Sequence, residues 1–257
     1  MKNIIKNLID LSTDVAKYLK TEQKKLKTTD IEKKGAHDFV SYVDKTSEKI
    51  LVENLKKIFP EAGFIVEENT VKQEKSDYYW IVDPLDGTTN FIHNFSPFAI
   101  SIALMHKNEI VLGVVYEVGK DECFSAVKGE GAFLNGEQIF VSKSKKLQDS
   151  IIATGFPYYD YSRLDKFMKS LEFFIKNTHG VRRFGTAATD LAYVACGRFD
   201  AYFEYSLHAW DVAAGSLLVT EAGGVVSDFS GGNNYLFGKE IIAANKPVFK
   251  EFISAVE

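Results

Sequence analysis

Cysteine, methionine and tryptophan are scarce, at 2, 3 and 2 of 257 residues, and proline contributes only 5. The two cysteines, Cys123 and Cys196, lie far apart inside apolar segments. That excludes a disulfide framework and a zinc-spaced cluster, and leaves two buried, reduced thiols as the expectation. Neither sign of charge is in large excess: 31 Lys plus Arg face 35 Asp plus Glu, a net charge of −4. Without a basic surplus, a protein that coats nucleic acid is disfavoured, and an anionic ligand would need a local source of cations. No uninterrupted apolar run approaches the ~18 residues that span a bilayer. Lys2, Lys6 and Asp10 interrupt the apolar N-terminus, so the chain reads as cytoplasmic, with no signal or membrane segment.

What is present is a globular composition, 46% hydrophobic and 26% charged, which excludes disorder and collagen-like repeats. At roughly 150 residues per domain the length fits one large domain or two closely joined ones. Ile4, Leu8, Leu11, Val15 and Leu19 recur at helical spacing, as do Val43, Ile50, Leu51, Leu55 and Ile58, with Pro60 closing the second helix. Between them Lys17 to Lys34 is lysine-rich and reads as a solvated helix end and mobile loop, or as a basic lip over an anion site. From residue 63 the pattern changes to short β-branched or aromatic segments at 63–66, 78–82, 98–105, 109–118 and 123–127, a mostly antiparallel meander. Gly129, Gly131 and Gly136 have the wrong spacing for a dinucleotide turn and read as one glycine-rich hairpin between strands 123–127 and 137–141. Helices are expected at 163–177, 186–196 and 211–221, strands at 201–205 and 241–244, and a helix at the C-terminus. The change of pattern near residue 150 suggests an N-terminal α+β half, 1–150, and a C-terminal α/β half, 151–257, sharing one core.

The most informative segment is WIVDPLDGTTN at 80–90, where an apolar strand runs into Asp83-Pro84-Leu85-Asp86-Gly87-Thr88. Pro84 fixes φ and Gly87 permits φ > 0. Two carboxylates and the Leu85 carbonyl can then converge on a point, as hard, oxygen-loving Mg²⁺ requires. Thr88 and Thr89 would offer hydroxyl and backbone N–H groups to an anion if a helix starts there. On the bare pattern an Asp-Gly turn capped by Asp83 explains the segment equally well. Other acids add weight: Glu67 and Glu68 after a strand, Asp44 near the start of the second helix, and Asp211 heading an apolar helix. Each also has a plain reading, Asp211 as an N-cap, Asp44 as a solvated helix residue and Glu67-Glu68 as a polar loop. Ala213, Ala214 and Gly215 after Asp211 would allow another backbone to approach closely.

Two long motifs, WIVDPLDGTTN at 80–90 and WDVAAGSLLVTEAGG at 210–224, resemble the inositol monophosphatase family of lithium-sensitive, Mg²⁺-dependent phosphatases. DFVSYVDK at 38–45, VEE at 66–68, GEGAFLNG at 129–136 and RFGTAATDLAYVACGRFDAYFE at 183–204 support the likeness, which covers nearly the whole chain. The resemblance implies an α/β fold, a five-layer α-β-α-β-α sandwich, usually as a homodimer. It implies two to three Mg²⁺ ions, the first held by Glu67, Asp83 and the Leu85 carbonyl, the second by Asp83, Asp86 and Asp211, with Glu67 and waters supporting a weaker third. Asp44 and Thr88 would flank the attacking water, and the Gly87 and Thr88 N–H groups would cradle phosphate. Gly185, Thr186, Ala187 and Glu204 would shape the alcohol side. The implied reaction is hydrolysis of a small phosphate monoester, with myo-inositol monophosphate favoured by Glu204 and its partners. His93 and His208 have no part in this scheme and are expected to be structural.

Val66, where the family often has Gly, and Ala209, where some relatives have Cys or Pro, bear on the pocket's shape. The same metal motifs occur in enzymes acting on fructose 1,6-bisphosphate, 3′-phosphoadenosine 5′-phosphate or histidinol phosphate. A relative acting in transcription antitermination marks a rival class, a regulatory protein that retains the fold. The five intact acids favour the enzyme.

Overall fold

The computed structural model describes residues 1–26, 31–33, 39–71, 75–158 and 160–257. The lysine-rich stretch, Lys17 to Lys34, begins inside Lys2–Gln23 (α1), as a helix end should, while its residues 27–30 and Lys34, on which the lip reading also falls, lie outside the described residues. A two-stranded hairpin of Ile31–Lys33 (β1) and Phe39–Ser41 (β2) flanks that gap and leads into Tyr42–Ile58 (α2). The stripe on α1 works as an amphipathic face should, with Leu8, Val15 and Leu19 buried. On α2 it is Val43, Leu51 and Leu55 that are buried. Helix α2 stops at Ile58, with Phe59 already non-helical ahead of Pro60, because proline disfavours helical backbone in the residue before it.

Seven strands form the first sheet, in sequence order: Gly63–Val66 (β3), Tyr78–Asp86 (β4), Ala99–His106 (β5), Glu109–Glu117 (β6), Glu122–Val127 (β7), Gly131–Leu134 (β8) and Glu137–Ile139 (β9). All neighbours are antiparallel except β3 and β4. The expected single glycine hairpin is two hairpins. Gly129, Gly131 and Gly136 all take positive φ, and each glycine-permitted turn leaves room for the short strand β8 between β7 and β9. Glu221 secures the first turn by accepting from the N–H groups of Gly129 and Gly131 at 2.8 and 2.9 Å.

Ile151–Thr154 (β10), Gly180–Arg182 (β11), Ala201–Tyr205 (β12), Val225–Ser227 (β13) and Glu240–Ala244 (β14) form the second sheet, in the order β11-β10-β12-β14-β13. Between its strands come the helices Leu164–Asn177 (α4), Ala187–Ala195 (α5) and Ala209–Glu221 (α6), and Lys246–Ile253 (α7) follows β14; the short helix Thr88–Ile92 (α3) follows β4. Helices α1 and α2 pack on one face of the first sheet, α5 and α6 lie between the sheets, and α4 and α7 cover the second. This is the α-β-α-β-α sandwich. Every residue of α5 is buried, as expected for a helix covered on both sides. A Cβ on Gly215 would lie 2.5 Å from Leu191 of α5, so the small residues that follow Asp211 serve helix packing. Cys123 is buried, but Cys196 is only half-buried, because it caps the C-terminus of α5 where the helix leaves the core. Among the described residues no helix is long and apolar enough to cross a membrane.

Candidate active site

Strand β4 does not end before the DPLD motif but carries it, through Asp86, with its register against β5 slipping between Asp83 and Asp86. Pro84 has no N–H for the ladder, and a bulge accommodates such a residue within a sheet. The slip is closed by Asp83, whose Oδ1 accepts the Leu85 N–H at 2.9 Å. Gly87 then turns the chain at φ +89° into α3. A Cβ there would meet the carbonyl oxygens of Gly185 and Pro97, each at 3.3 Å, so the turn needs glycine on both conformational and steric grounds.

Thr88, the first residue of α3, places its Oγ1 3.1 Å from both Asp44 Oδ1 and the Leu85 carbonyl. Asp44 is 1% exposed, which corrects the solvated alternative. It is the third residue of a capping box, its Oδ2 accepting from the Ser41 N–H at 2.8 Å and the Ser41 hydroxyl at 2.7 Å. Burial pushes its carboxyl above the ordinary range, and the Ser41 and Thr88 donors work against that. One turn on, the buried Glu48 accepts the N–H groups of Glu68 and Thr70 at 2.7 and 2.8 Å, so α2 also anchors the loop that carries Glu67.

Asp86 leans the other way, its Oδ2 accepting from the Thr186 hydroxyl at 2.5 Å and the Ala188 N–H at 2.8 Å at the start of α5. Burial lifts it to about 6 despite those bonds. Asp211 is not the N-cap of α6. His208 is, and Asp211 Oδ2 accepts the His208 N–H at 2.7 Å from the third helical position, again a capping box. Asp83, 2% exposed, is held well above the usual carboxylate range, first by burial and then by repulsion from Glu67, Asp86 and Asp211. Asp211 is raised likewise, by burial and by Asp86. Asp83 thus sits among three further carboxylates, Glu67, Asp86 and Asp211, each of which adds to its proton affinity. As they stand, no three His, Cys, Asp or Glu side chains among the described residues are gathered closely enough to hold a metal ion. Their donor chemistry nonetheless fits a hard divalent cation: all oxygen, with Asp83 buried and Glu67, Asp86 and Asp211 half-buried at the cleft, and with Asp83 and Asp211 destabilised by charge that such an ion would cancel.

A cleft of about 490 Å³ opens beside them. Glu67, Asp86, Gly185, Thr186, Ala187, Glu204 and Asp211 line it, whereas Asp44, Asp83, Leu85, Gly87 and Thr88 do not form its wall. Glu204, on β12, is 8% exposed; burial lifts its carboxyl to about 7, against the pull of the Tyr202 hydroxyl, which donates at 2.5 Å. A Cβ on Gly155 would lie 2.0 Å from this carboxylate, so only glycine leaves room for it. His208 stacks on Trp210 at 4.6 Å and both face the cleft, while His93 is an exposed residue that ends α3.

Sequence reading assigned no role to Ser41, Glu48, Gly155, Phe156, Tyr158, Arg183 or Tyr202. Signals existed for some of them. Ser41-x-x-Asp44 has capping-box spacing, Glu48 is one helical turn from Asp44, and Tyr202 shares a strand face with Glu204. Gly155, Phe156 and Tyr158 lie in the irregular chain after β10, where no periodicity reveals direction.

The inositol monophosphatase family model matches residues 1–257. Inositol-1-monophosphatase of Mesorhizobium japonicum is 44% identical over 225 residues, covering 87% of this chain and 85% of that protein. Nus factor SuhB of Pseudomonas aeruginosa is 41% identical over 238 residues, 91% and 88% of the two chains. Among solved structures, the extragenic suppressor protein SuhB of Bartonella henselae superposes with a TM-score of 0.94 at 40% identity, over 99% of this chain and 98% of that one.

Proposed function

Because this chain belongs to the inositol monophosphatase family, we propose that it hydrolyses a phosphate monoester in a Mg²⁺-dependent reaction, with a phosphorylated polyol such as myo-inositol monophosphate as substrate. One observation carries the reading: at the edge of a cleft, burial and the neighbouring Glu67, Asp86 and Asp211 raise the proton affinity of Asp83, and burial and Asp86 raise that of Asp211. Clustering anions costs stability, and that cost is offset when cations bind there.

In this reading Glu67, Asp83 and the Leu85 carbonyl hold one ion, and Asp83, Asp86 and Asp211 a second, with Glu67 supporting a third. When bound, Mg²⁺ supplies positive charge that offsets the phosphate dianion and makes water a better nucleophile. Thr88 Oγ1 accepts a hydrogen bond from the attacking water and passes its own proton towards Asp44 Oδ1, already its partner at 3.1 Å. The Gly87 and Thr88 N–H groups bind phosphate oxygens. As the new O–P bond forms, the bond to the alcohol oxygen breaks and that oxygen takes a proton from solvent water, while the proton gathered at Asp44 returns to solvent, giving inorganic phosphate and the free alcohol. Glu204 accepts hydrogen bonds from hydroxyls of the leaving alcohol, with its carboxylate steadied by Tyr202. Gly185, Thr186 and Ala187 shape the same side. We also carry the homodimer and cytoplasmic location over from the family as proposals.

A second reading, a role as a Nus factor, is favoured by the name of the Pseudomonas relative. The complete carboxylate set supports the enzyme over that role alone. Assaying inorganic phosphate release from a panel of monophosphates, with Mg²⁺ and with EDTA, tests the choice. Mg²⁺-dependent release supports the enzyme, and silence across the panel supports the binding role.

A further inference from the structure

The alcohol side of the cleft contains a cation whose hydrogen-bonding capacity is unused. Glu67, Glu68, Asp86, Glu204 and Asp211 line the cleft, and Arg183 is the only lysine or arginine in its described wall. Among the described residues Arg183 makes no hydrogen bond or salt bridge, and its Nε is buried without a partner. Its charge acts on two acids, Glu204 and the buried Asp190, but Glu204 is hydrogen-bonded to the Tyr202 hydroxyl and Asp190 makes no hydrogen bond to Arg183.

The guanidinium is nevertheless held in place. It lies over the rings of Phe156 and Tyr158, 5.5 and 5.6 Å from their centroids. Stacking of this kind fixes the plane of an arginine without satisfying its N–H donors. Gly185 leaves the space, since a Cβ there would come within 2.7 Å of Arg183 Nη1. A guanidinium presents five N–H donors in a planar fork that matches carboxylate and phosphate oxygens, and no group among the described residues accepts from them.

We propose that Arg183 receives a second anionic group on the substrate's alcohol, so that the preferred phosphate monoesters carry a further phosphate or carboxylate. This rests on the phosphatase reading and sharpens its substrate class. On the reacting side, bound cations balance the carboxylates and the transferred phosphate. On the far side Glu204 accepts from hydroxyls while Arg183 donates to the second anion. A neutral polyol would engage Glu204 and leave Arg183 with only weaker, uncharged acceptors.

The test compares wild type, Arg183→Gln and Arg183→Lys in Mg²⁺. Fructose 1,6-bisphosphate supplies a second phosphate, 3-phosphoglycerate a carboxylate, and inositol 1-phosphate neither. For each anionic ester, the ratio of its kcat/KM to that of inositol 1-phosphate should fall about 10- to 100-fold in Arg183→Gln, mostly through KM, as expected for a lost charged hydrogen-bond pair. Arg183→Lys should recover part of the ratio. A loss with one anionic ester alone identifies which anion the site takes. Calorimetric binding of fructose 1,6-bisphosphate to the same three proteins gives a reading that needs no turnover, and Arg183→Gln should weaken it by a similar factor. Unchanged ratios and unchanged binding would overturn the assignment, as would an equal loss on all three esters, which would make Arg183 a support for the fold. If wild type hydrolyses no ester yet binds the bisphosphate through Arg183, the phosphatase reading fails and the anion receptor stands.

Discussion

Replacing Asp86 with Asn should make the metal-free protein more stable while removing its response to Mg²⁺. The Asp86 carboxyl is lifted from 3.8 to about 6 in the folded chain. Below pH ~4 it is protonated both folded and unfolded, and contributes nothing. Between pH 4 and 6 the unfolded chain loses its proton while the folded chain keeps it, so stability falls as pH rises. Above pH 6 the full cost is present, a shift of about two units at 1.36 kcal/mol each, or ~3 kcal/mol before solvent screening trims it. Asn keeps an oxygen for the Thr186 hydroxyl and the Ala188 N–H and carries no charge, so most of that cost is relieved. For a chain of this size 1 kcal/mol moves Tm by about 2–4 °C, which puts the variant ~5 °C above wild type in EDTA at pH 8. At pH 4 the two should coincide. Adding Mg²⁺ should raise the Tm of wild type and leave the variant nearly unmoved. Thermal unfolding followed by circular dichroism at both pH values decides this. A variant less stable than wild type at pH 8 in EDTA, or one whose advantage persists at pH 4, would refute the argument from a desolvated carboxylate at position 86.

Asp83→Asn should lose more kcat than Thr88→Ala at saturating Mg²⁺, because the carboxylate would serve two ions while the hydroxyl orients one water, a contribution of about 10²–10⁴-fold; equal losses would remove Asp83 from the bridging role. Lithium should inhibit by competing at the site of Asp83, Asp86 and Asp211, and identical rates in LiCl and KCl at tens of millimolar would contradict that. Glu204→Ala should cut kcat/KM for inositol 1-phosphate by about 10- to 150-fold, the worth of a charged hydrogen bond, with a much smaller fall for phenyl phosphate; parallel falls would show that Glu204 supports the fold or the metal residues.

The parts of this molecule legible in the sequence are those whose side chains repeat. The buried stripes of α1 and α2 stand at helical spacing, and β4 to β7 announce themselves as β-branched and aromatic runs between turns. Strands β10, β11 and β13 do not. They are only three or four residues long, and long-range pairing, such as that of β10 with β12, specifies them more than local pattern does. The motifs marked Asp83, Asp86 and Asp211 because proline, glycine and carboxylate stand at fixed offsets. The alcohol side was harder to read. Glu204 needs Gly155 from a distant loop to leave it space, and Arg183 rests on rings from that same loop, a juxtaposition set by the sandwich and not by neighbours along the chain.

The most direct test of the central claim is to measure inorganic phosphate liberated from inositol 1-phosphate by the chelator-stripped protein as MgCl₂ is added back. The account predicts no release in EDTA and a saturable rise with Mg²⁺ that Asp83→Asn abolishes. Release that is indifferent to Mg²⁺, or none from any phosphate monoester at any Mg²⁺ concentration, would contradict it.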